Sequence, residues 1–134
     1  MERTLSKILL TCILLVTSVL ASVTNKNPSL EIVNSKTPIV DIRTPSEWKD
    51  TGLLKGAIPI MFFDGRGGYD LKGFLKELHA KVDTTKPFAL ICRSGARTTT
   101  VSKYLSDEYG YKIINLKGGM NLAKAKKLPT TPYK

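Results

Sequence analysis

Residues 87–100, PFALICRSGARTTT, decide the fold, because an apolar run, a short polar loop and the first turn of a helix follow one another directly. Pro87 to Cys92 is continuously apolar, which is typical of a strand buried on both faces of a sheet. Ala96 to Tyr109 has the spacing of a helix with one apolar face, and Gly110 ends it. A buried strand that passes into a helix predicts an α/β domain with a mainly parallel sheet.

The same alternation of strands and helices continues on both sides of this stretch. Apolar, β-branched runs predict further strands at Pro38–Ile42, Ala57–Phe63 and Lys112–Leu116. Helical spacing predicts helices at Pro28–Ser35, at Asp70–Val82 and after Gly118-Gly119. Another helix is expected to begin with Thr44 as its cap, Pro45 in its first position and Glu47 three residues after the cap.

The first 21 residues have the pattern of an export signal. Arg3 and Lys7 make the start basic, a largely apolar run of thirteen residues from Ile8 to Leu20 follows, and small residues lead to a cleavage site after Ala21. The run is short for a membrane span, which needs about 20 apolar residues, although an uncleaved anchor is the alternative. We therefore expect a signal peptide at 1–21, a flexible lead-in at 22–27, a domain at 28–130 and a C-terminal tail at 131–134. An exported chain with a free thiol indicates a periplasmic protein without stable membrane insertion after cleavage.

Composition narrows the possible classes of function. The net charge is +10, but the lysines are scattered between Lys26 and Lys134 and form no stripe with interleaved aromatic residues, so we expect no nucleic-acid partner. Cleavage would leave Cys92 as the one cysteine, and a single cysteine forms no internal disulfide framework. His79 is the only histidine of the chain. The usual ligand sets of a metal site are therefore lacking, and we expect neither a metal nor another cofactor.

Cys92 follows the predicted central strand, and ligands of parallel sheets bind at the carboxyl ends of strands. Ser94 and Gly95 permit a tight loop whose N–H groups can converge on an anion, and the next helix adds the positive end of its dipole. Arg93 and Arg97 add permanent positive charge. All of these features favour a thiolate, which is the nucleophilic form of cysteine. We interpret Cys92 as a reactive centre; an inert cysteine at a strand end is the alternative.

Four segments of the chain, in order, resemble the characteristic segments of the rhodanese (sulfurtransferase) family. Cys92–Arg97 (CRSGAR) resembles its active-site loop. The other three are Ile39–Arg43 (IVDIR) with Pro45, Glu47 and Trp48, then Gly52–Ala57 (GLLKGA), and finally Leu116–Met120 (LKGGM) through to Leu128-Pro129. Together they span about residues 28 to 129. The resemblance implies a three-layer α/β fold with a central, mainly parallel sheet flanked by helices on both faces.

The same resemblance implies a sulfurtransferase without a cofactor. Sulfane sulfur would move from a small anionic donor such as thiosulfate to a thiophilic acceptor, cyanide or a thiol, through a persulfide on Cys92. A protein sulfur acceptor is a further possible partner. The residues expected to bind the sulfur or the donor are Arg93, Ser94, Gly95, Ala96 and Arg97. Asp41 and Arg43 match family positions that brace the neighbouring loop, so they are expected to support the site.

Two other functions stay open. Related cysteine phosphatases on this fold have a longer loop, whereas four residues separate Cys92 from Arg97, and the smaller ring disfavours a phosphatase or arsenate-reductase-like activity. A persulfide carrier that serves a partner without turnover is the second alternative, which the sequence does not separate from an enzyme. Leu53 and Ala123 depart from the family, which often has histidine and tryptophan there. The Phe62–Tyr69 loop is read either as a pocket wall or as an ordinary turn.

Overall fold

The computed structural model describes residues 20–134. The predicted signal peptide, except for its last two residues, therefore lies outside the described residues. The elements in chain order are β1 Ser22–Lys26, α1 Leu30–Asn34, β2 Ile39–Asp41, α2 Pro45–Thr51, β3 Leu53–Leu54, β4 Ile58–Pro59, α3 Leu71–Lys81, β5 Phe88–Ile91, α4 Ala96–Tyr109, β6 Lys112–Leu116, α5 Gly119–Ala125 and β7 Thr130–Thr131.

Five strands form one parallel sheet in the order β1-β6-β5-β2-β4. Strand β5 is central: Ala89 pairs with Ile39 of β2 on one side and with Ile114 of β6 on the other. All four of its residues are buried, as expected for a continuous apolar run. The predicted α/β fold class is confirmed.

Helices pack on both faces of the sheet and create two apolar cores. Alternate residues of β5 point to opposite faces, so Leu90 lies in one core and Ile91 in the other. Helices α3 and α4 cover the first face with Phe74, Leu78, Val101 and Leu105. Helices α1 and α5 cover the second face with Ile32, Met120 and Ala123.

The residues that we expected to form a flexible lead-in are a strand in this structure. Residues 22–26 form β1, which pairs in parallel with β6 from Ser22 opposite Lys112 to Lys26 opposite Leu116. All five side chains of β1 are exposed, so hydrophobic patterning carries no signal for it. The strand is ordered by backbone hydrogen bonds to the edge of β6, since an unpaired sheet edge leaves polar groups unsatisfied.

The end of the chain also differs from the expected tail. Thr130 and Thr131 form β7, which pairs antiparallel with β3. Tyr133 then packs against Trp48 of α2, with ring centroids 5.3 Å apart in an edge-to-face arrangement. The C-terminal residues therefore belong to the domain.

Strand β4 is shorter than the apolar run that predicted it. It comprises Ile58 and Pro59, and the chain continues as an irregular segment that still bonds to the β2 side of the sheet. The N–H of Ile60 donates to the carbonyl of Asp41, and that of Phe62 donates to Ile42. Within residues 20–134, no helix combines the length and the apolar character needed to cross a bilayer.

Gly119 allows α5 to sit against the end of β5. The N–H of Met120 donates to the carbonyl of Cys92 at 2.8 Å, and the N–H of Asn121 donates to that of Arg93 at 3.0 Å. Gly119 has a φ of +54°, and a Cβ atom there would overlap the carbonyl oxygens of Cys92 and Arg93. Glycine is therefore required both for the backbone conformation and for the close approach.

We expect Gly119→Ala to lower the free energy of unfolding by about 3 kcal/mol, because backbone strain and a backbone clash add together. The matched control is Gly56→Ala, since Gly56 has a φ of +80° but no atom within 4 Å of the added Cβ. Strain alone should cost about 1 kcal/mol there. Urea unfolding followed by circular dichroism measures both values, and equal losses would contradict the role assigned to the close approach.

Candidate active site

Cys92 is the first residue after the central strand β5, and its side chain is fully buried. The Sγ atom accepts a hydrogen bond from the N–H of Gly95 at 3.1 Å. The Thr98 hydroxyl lies 3.6 Å from the same sulfur. The backbone amide thus directs a hydrogen bond at the sulfur, which is an arrangement that stabilises negative charge at that atom.

The loop from Cys92 to Arg97, called the sulfur loop below, owes its shape to Gly95. This glycine has a φ of +96° and precedes α4 as its N-cap. The carbonyl of Gly95 accepts hydrogen bonds from the hydroxyls of Thr98 (3.2 Å) and Thr99 (2.8 Å), which close the first turn of the helix. The positive end of a fourteen-residue helix therefore begins beside the sulfur.

Arg97 closes the sulfur loop and is tied to α2. Its two terminal guanidinium nitrogens donate to the two carboxylate oxygens of Glu47 at 2.7 and 2.8 Å. About a quarter of each side chain is exposed. The hydrogen bonds from Arg97 lower the pKa of Glu47 to about 2, and the carboxylate in turn raises the pKa of Arg97. The pair holds the start of α4 against α2.

Glu47 was predicted as part of the cap of α2 and as one residue of a family-like segment, with no contact to the sulfur loop. That capping box is present: the Glu47 N–H donates to the Thr44 hydroxyl, and the Thr44 N–H donates to the Glu47 carboxylate, both at 3.4 Å. The contact with Arg97 joins residues 50 positions apart, which local spacing does not reveal. Thr98 was likewise read only as part of the first helical turn. Its position three residues after Gly95 was the sequence signal that could have indicated its contact with the Cys92 sulfur.

Asp41 and Arg43, the predicted supporting residues, form a buried ion pair at 2.8 Å. The indole N–H of Trp48 donates to Asp41 at 3.1 Å. Arg43 donates to the hydroxyl of Thr51 and to the carbonyl of Gly52, both at 2.7 Å. These bonds fasten α2 to the end of β2. Asp41 and Arg43 thus support the sulfur loop indirectly, because they position the helix that carries Glu47.

The predicted substrate-binding residues divide into two groups by exposure. Gly95 is buried and Arg97 is half-buried, whereas Arg93, Ser94 and Ala96 are exposed. Arg93 faces a cleft between α2 and α5. The first group therefore shapes the sulfur environment, and the second is free to meet a ligand from solvent.

A cluster of aromatic side chains lies in the segment before α3. The ring of Phe62 is stacked on Tyr69 with centroids 5.5 Å apart, and Phe63 packs edge-to-face on both. Phe62 and Cys92 belong to the same apolar core. Residues of the Phe62–Tyr69 loop line two grooves, and neither lining includes a residue of the sulfur loop. A role of this loop as a wall of the reactive site stays a prediction. In the described part of the chain, no group of three or more histidine, cysteine or acidic side chains is placed to hold a metal ion.

Comparison with known proteins places this fold in a family. The model of the family described as "Rhodanese-like domain" matches residues 27–126. The Bacillus subtilis protein named "Putative sulfurtransferase YtwF" is 34% identical over 82 residues, which cover 61% of this chain and 68% of that protein. These two matches support a sulfurtransferase-type function.

Solved structures show the same fold at low sequence identity. Rv0390 from M. tuberculosis has a TM-score of 0.58 and 19% identity, and the match covers 73% of this chain and 80% of that chain. A rhodanese-like domain protein from Staphylococcus aureus has a TM-score of 0.55 and 24% identity, covering 75% and 88% respectively. At these identities the likeness establishes the fold alone.

We expect Glu47→Gln to lower the free energy of unfolding at neutral pH by about 2 kcal/mol, because the variant loses the ion pair with Arg97. The loss is moderate because residual solvent contact weakens that pair. A lowered pKa in the folded state means that the stabilisation is present above the ordinary value of 4.5 and is lost as the pH falls towards 2. The difference between wild type and variant should therefore be constant from pH 7 to about 5 and should shrink below pH 4.5. Denaturant unfolding at each pH measures it.

The control for this experiment is Glu77→Gln, which removes an exposed ion pair with Lys81. Exposed pairs typically contribute about 0.5 kcal/mol, so this variant should remain close to wild type. An equal loss in both variants, or a pH-independent loss in Glu47→Gln, would show that the Arg97 contact does not stabilise the fold in the way described.

Proposed function

The chain belongs to the rhodanese-like domain family, and on that premise we propose that it moves sulfane sulfur from a donor such as thiosulfate to cyanide or a thiol through a persulfide on Cys92. The observation that carries the proposal is the hydrogen bond from the N–H of Gly95 to the sulfur of Cys92 at 3.1 Å. This bond favours an anionic sulfur, which is needed both before and after the transfer.

The first half of the reaction loads the protein. The thiolate of Cys92 attacks the terminal sulfur of thiosulfate, a new S–S bond forms, and the S–S bond of the donor breaks. Sulfite leaves with the electron pair of the broken bond, and Cys92 carries a persulfide. In the second half, cyanide attacks the outer sulfur, thiocyanate leaves, and the Cys92 thiolate is restored. Covalent catalysis of this kind divides one difficult transfer into two displacements.

The dimensions of the site support sulfur as the transferred group. Four residues lie between Cys92 and Arg97, and the amide of Gly95 is already bonded to the sulfur. Since Cys92 is fully buried, a donor reaches it most readily with a terminal atom that projects from a larger group. A sulfane sulfur is such an atom. A phosphoryl or arsenate group presents its reacting atom surrounded by oxygens.

We also place this reaction after export, in the periplasm. The support is the basic start, the apolar run and the small-residue exit of residues 1–21. The scattered positive charge is expected to attract small anionic donors and not nucleic acid.

Incubation of the protein with thiosulfate should add one sulfur atom to the intact mass, and Cys92→Ser should abolish the gain. The uncleaved chain also contains Cys12, so the matched control in that form is Cys12→Ser, which should leave the gain unchanged. With cyanide present as well, steady release of thiocyanate is expected from the wild type and none from Cys92→Ser.

Other outcomes of these measurements would redirect the proposal. Absence of a mass gain with every sulfane donor would overturn it. A single burst of thiocyanate without turnover would identify a carrier that serves a partner protein. Release of phosphate from an aryl phosphate ester, lost in Cys92→Ser, would instead identify a phosphatase.

A further inference from the structure

An open groove of about 740 Å³ lies along the outer edge of β4, the last strand of the five-stranded sheet. We call it the edge groove; Pro59 and Met61 line it between its two walls. Strand β4 comprises two residues and Pro59 has no N–H, so this edge offers little backbone pairing to a further strand. A ligand of the edge groove is therefore recognised by the side chains of the walls.

One wall of the edge groove is a face of α3. The residues of that face are Asp70, Gly73, Phe74, Glu77 and Lys81. From the first to the last of them the helix extends about 16 Å, since each residue adds ~1.5 Å. That length matches about five residues of extended chain and exceeds what one side chain fills.

Negative charge dominates the edge groove, although the chain as a whole has a net charge of +10. Three carboxylates, those of Asp64, Asp70 and Glu77, line the groove together with one lysine. Lys72 and Lys76 lie on the other side of α3, because a helix completes a turn in about 3.6 residues. The groove therefore has an excess of negative charge and is complementary to a cationic ligand.

Asp64 and Asp70 are held in place by one carboxylate oxygen, and the other oxygen stays accessible. The Oδ1 atom of Asp64 accepts hydrogen bonds from the N–H groups of Arg66 (2.8 Å) and Gly68 (2.9 Å), and Oδ1 of Asp70 accepts from Gly73 at 3.0 Å. A Cβ atom at Gly68 or Gly73 would overlap the Oδ2 atom of the neighbouring aspartate, so glycine leaves both of these oxygens uncovered. Within residues 20–134, neither aspartate belongs to an ion pair. Fixed carboxylates of this kind accept strong hydrogen bonds from ammonium or guanidinium groups.

The facing wall of the edge groove is apolar. It consists of Pro45 and Trp48 of α2 together with Tyr133, whose ring packs on that of Trp48. An extended chain directs successive side chains to opposite sides. A segment in which basic and apolar residues alternate therefore matches both walls at once.

We propose that the edge groove docks an extended segment of a partner protein in which basic and apolar side chains alternate. The basic side chains bind Asp64 and Asp70, and the apolar side chains pack against Pro45, Trp48 and Tyr133. The inference is independent of the proposed function, since no residue of the sulfur loop lines this groove.

Three fluorescein-labelled peptides test the proposal with the full-length protein, by fluorescence anisotropy. The peptide LKLKLKL alternates leucine and lysine, KKKLLLL has the same composition without alternation, and LELELEL reverses the charge. The wild type should bind LKLKLKL about tenfold more tightly than either of the other two. The Kd for LKLKLKL should rise with added salt, because salt screens exposed charges.

Variants of the two walls then assign the contacts. Asp64→Asn and Asp70→Asn remove a charge but keep the oxygen that accepts the backbone hydrogen bonds. Each should raise the Kd for LKLKLKL about threefold, and the double variant should raise it about tenfold. Tyr133→Ala should raise it about fivefold through lost apolar contact. The matched control is Asp107→Asn, which removes an exposed carboxylate paired with Lys103 on α4 and should keep the wild-type Kd.

Several results would overturn this inference. These are no binding of LKLKLKL, equal affinity for the three peptides, or an unchanged Kd in the double variant. A dimer that analytical ultracentrifugation detects in the wild type and not in the double variant would assign the groove to a second copy of the chain. Tetramethylammonium that competes as tightly as LKLKLKL would assign it to a small cation. Cys92→Ser should bind LKLKLKL as the wild type does, so a failure of docking and a failure of sulfur transfer are distinct.

Discussion

A carboxylate on α2 and a guanidinium on α4, those of Glu47 and Arg97, connect the two segments that surround Cys92. The pair adds a contact with α2 to those that the sulfur loop makes with α5 and with the first turn of α4. The pair is bidentate and half-buried, which gives it a fixed geometry as well as energy. Behind it, Asp41 and Arg43 hold α2 against the sheet, so ion pairs and hydrogen bonds together connect the end of β2 with the start of α4.

The parts of the fold that the sequence predicts are those with strong local patterns. The run from Pro87 to Cys92 and the helix from Ala96 to Tyr109 agree with the structure to within a residue, because burial and helical spacing are local properties. The capping box of α2 was predicted for the same reason. Strand β1 was missed because its side chains are all exposed. Strand β7 was missed because two threonines are too few to show the alternating pattern of a strand.

The candidate site was predicted only in part. Cys92, Gly95 and Arg97 lie in one short segment, so their proximity follows from the sequence itself. The carboxylate that faces Arg97 lies 50 residues earlier in the chain. Contacts of this kind depend on how helices are placed on the sheet, which no local pattern states. The sequence therefore predicts the nucleophile, while the structure adds its electrostatic partners.

The pairing of β1 with β6 has a consequence for the order of folding. Asn25 in β1 and Asn115 in β6 are joined by a side-chain hydrogen bond of 3.0 Å although they lie 90 positions apart. Of the described strands, β1 is synthesised first and β6 is the second-last. The edge of the sheet can therefore form only after most of the chain has been made. Such non-local parallel pairing slows folding. Until β6 has been synthesised, the backbone polar groups of β1 therefore lack their partners in the sheet.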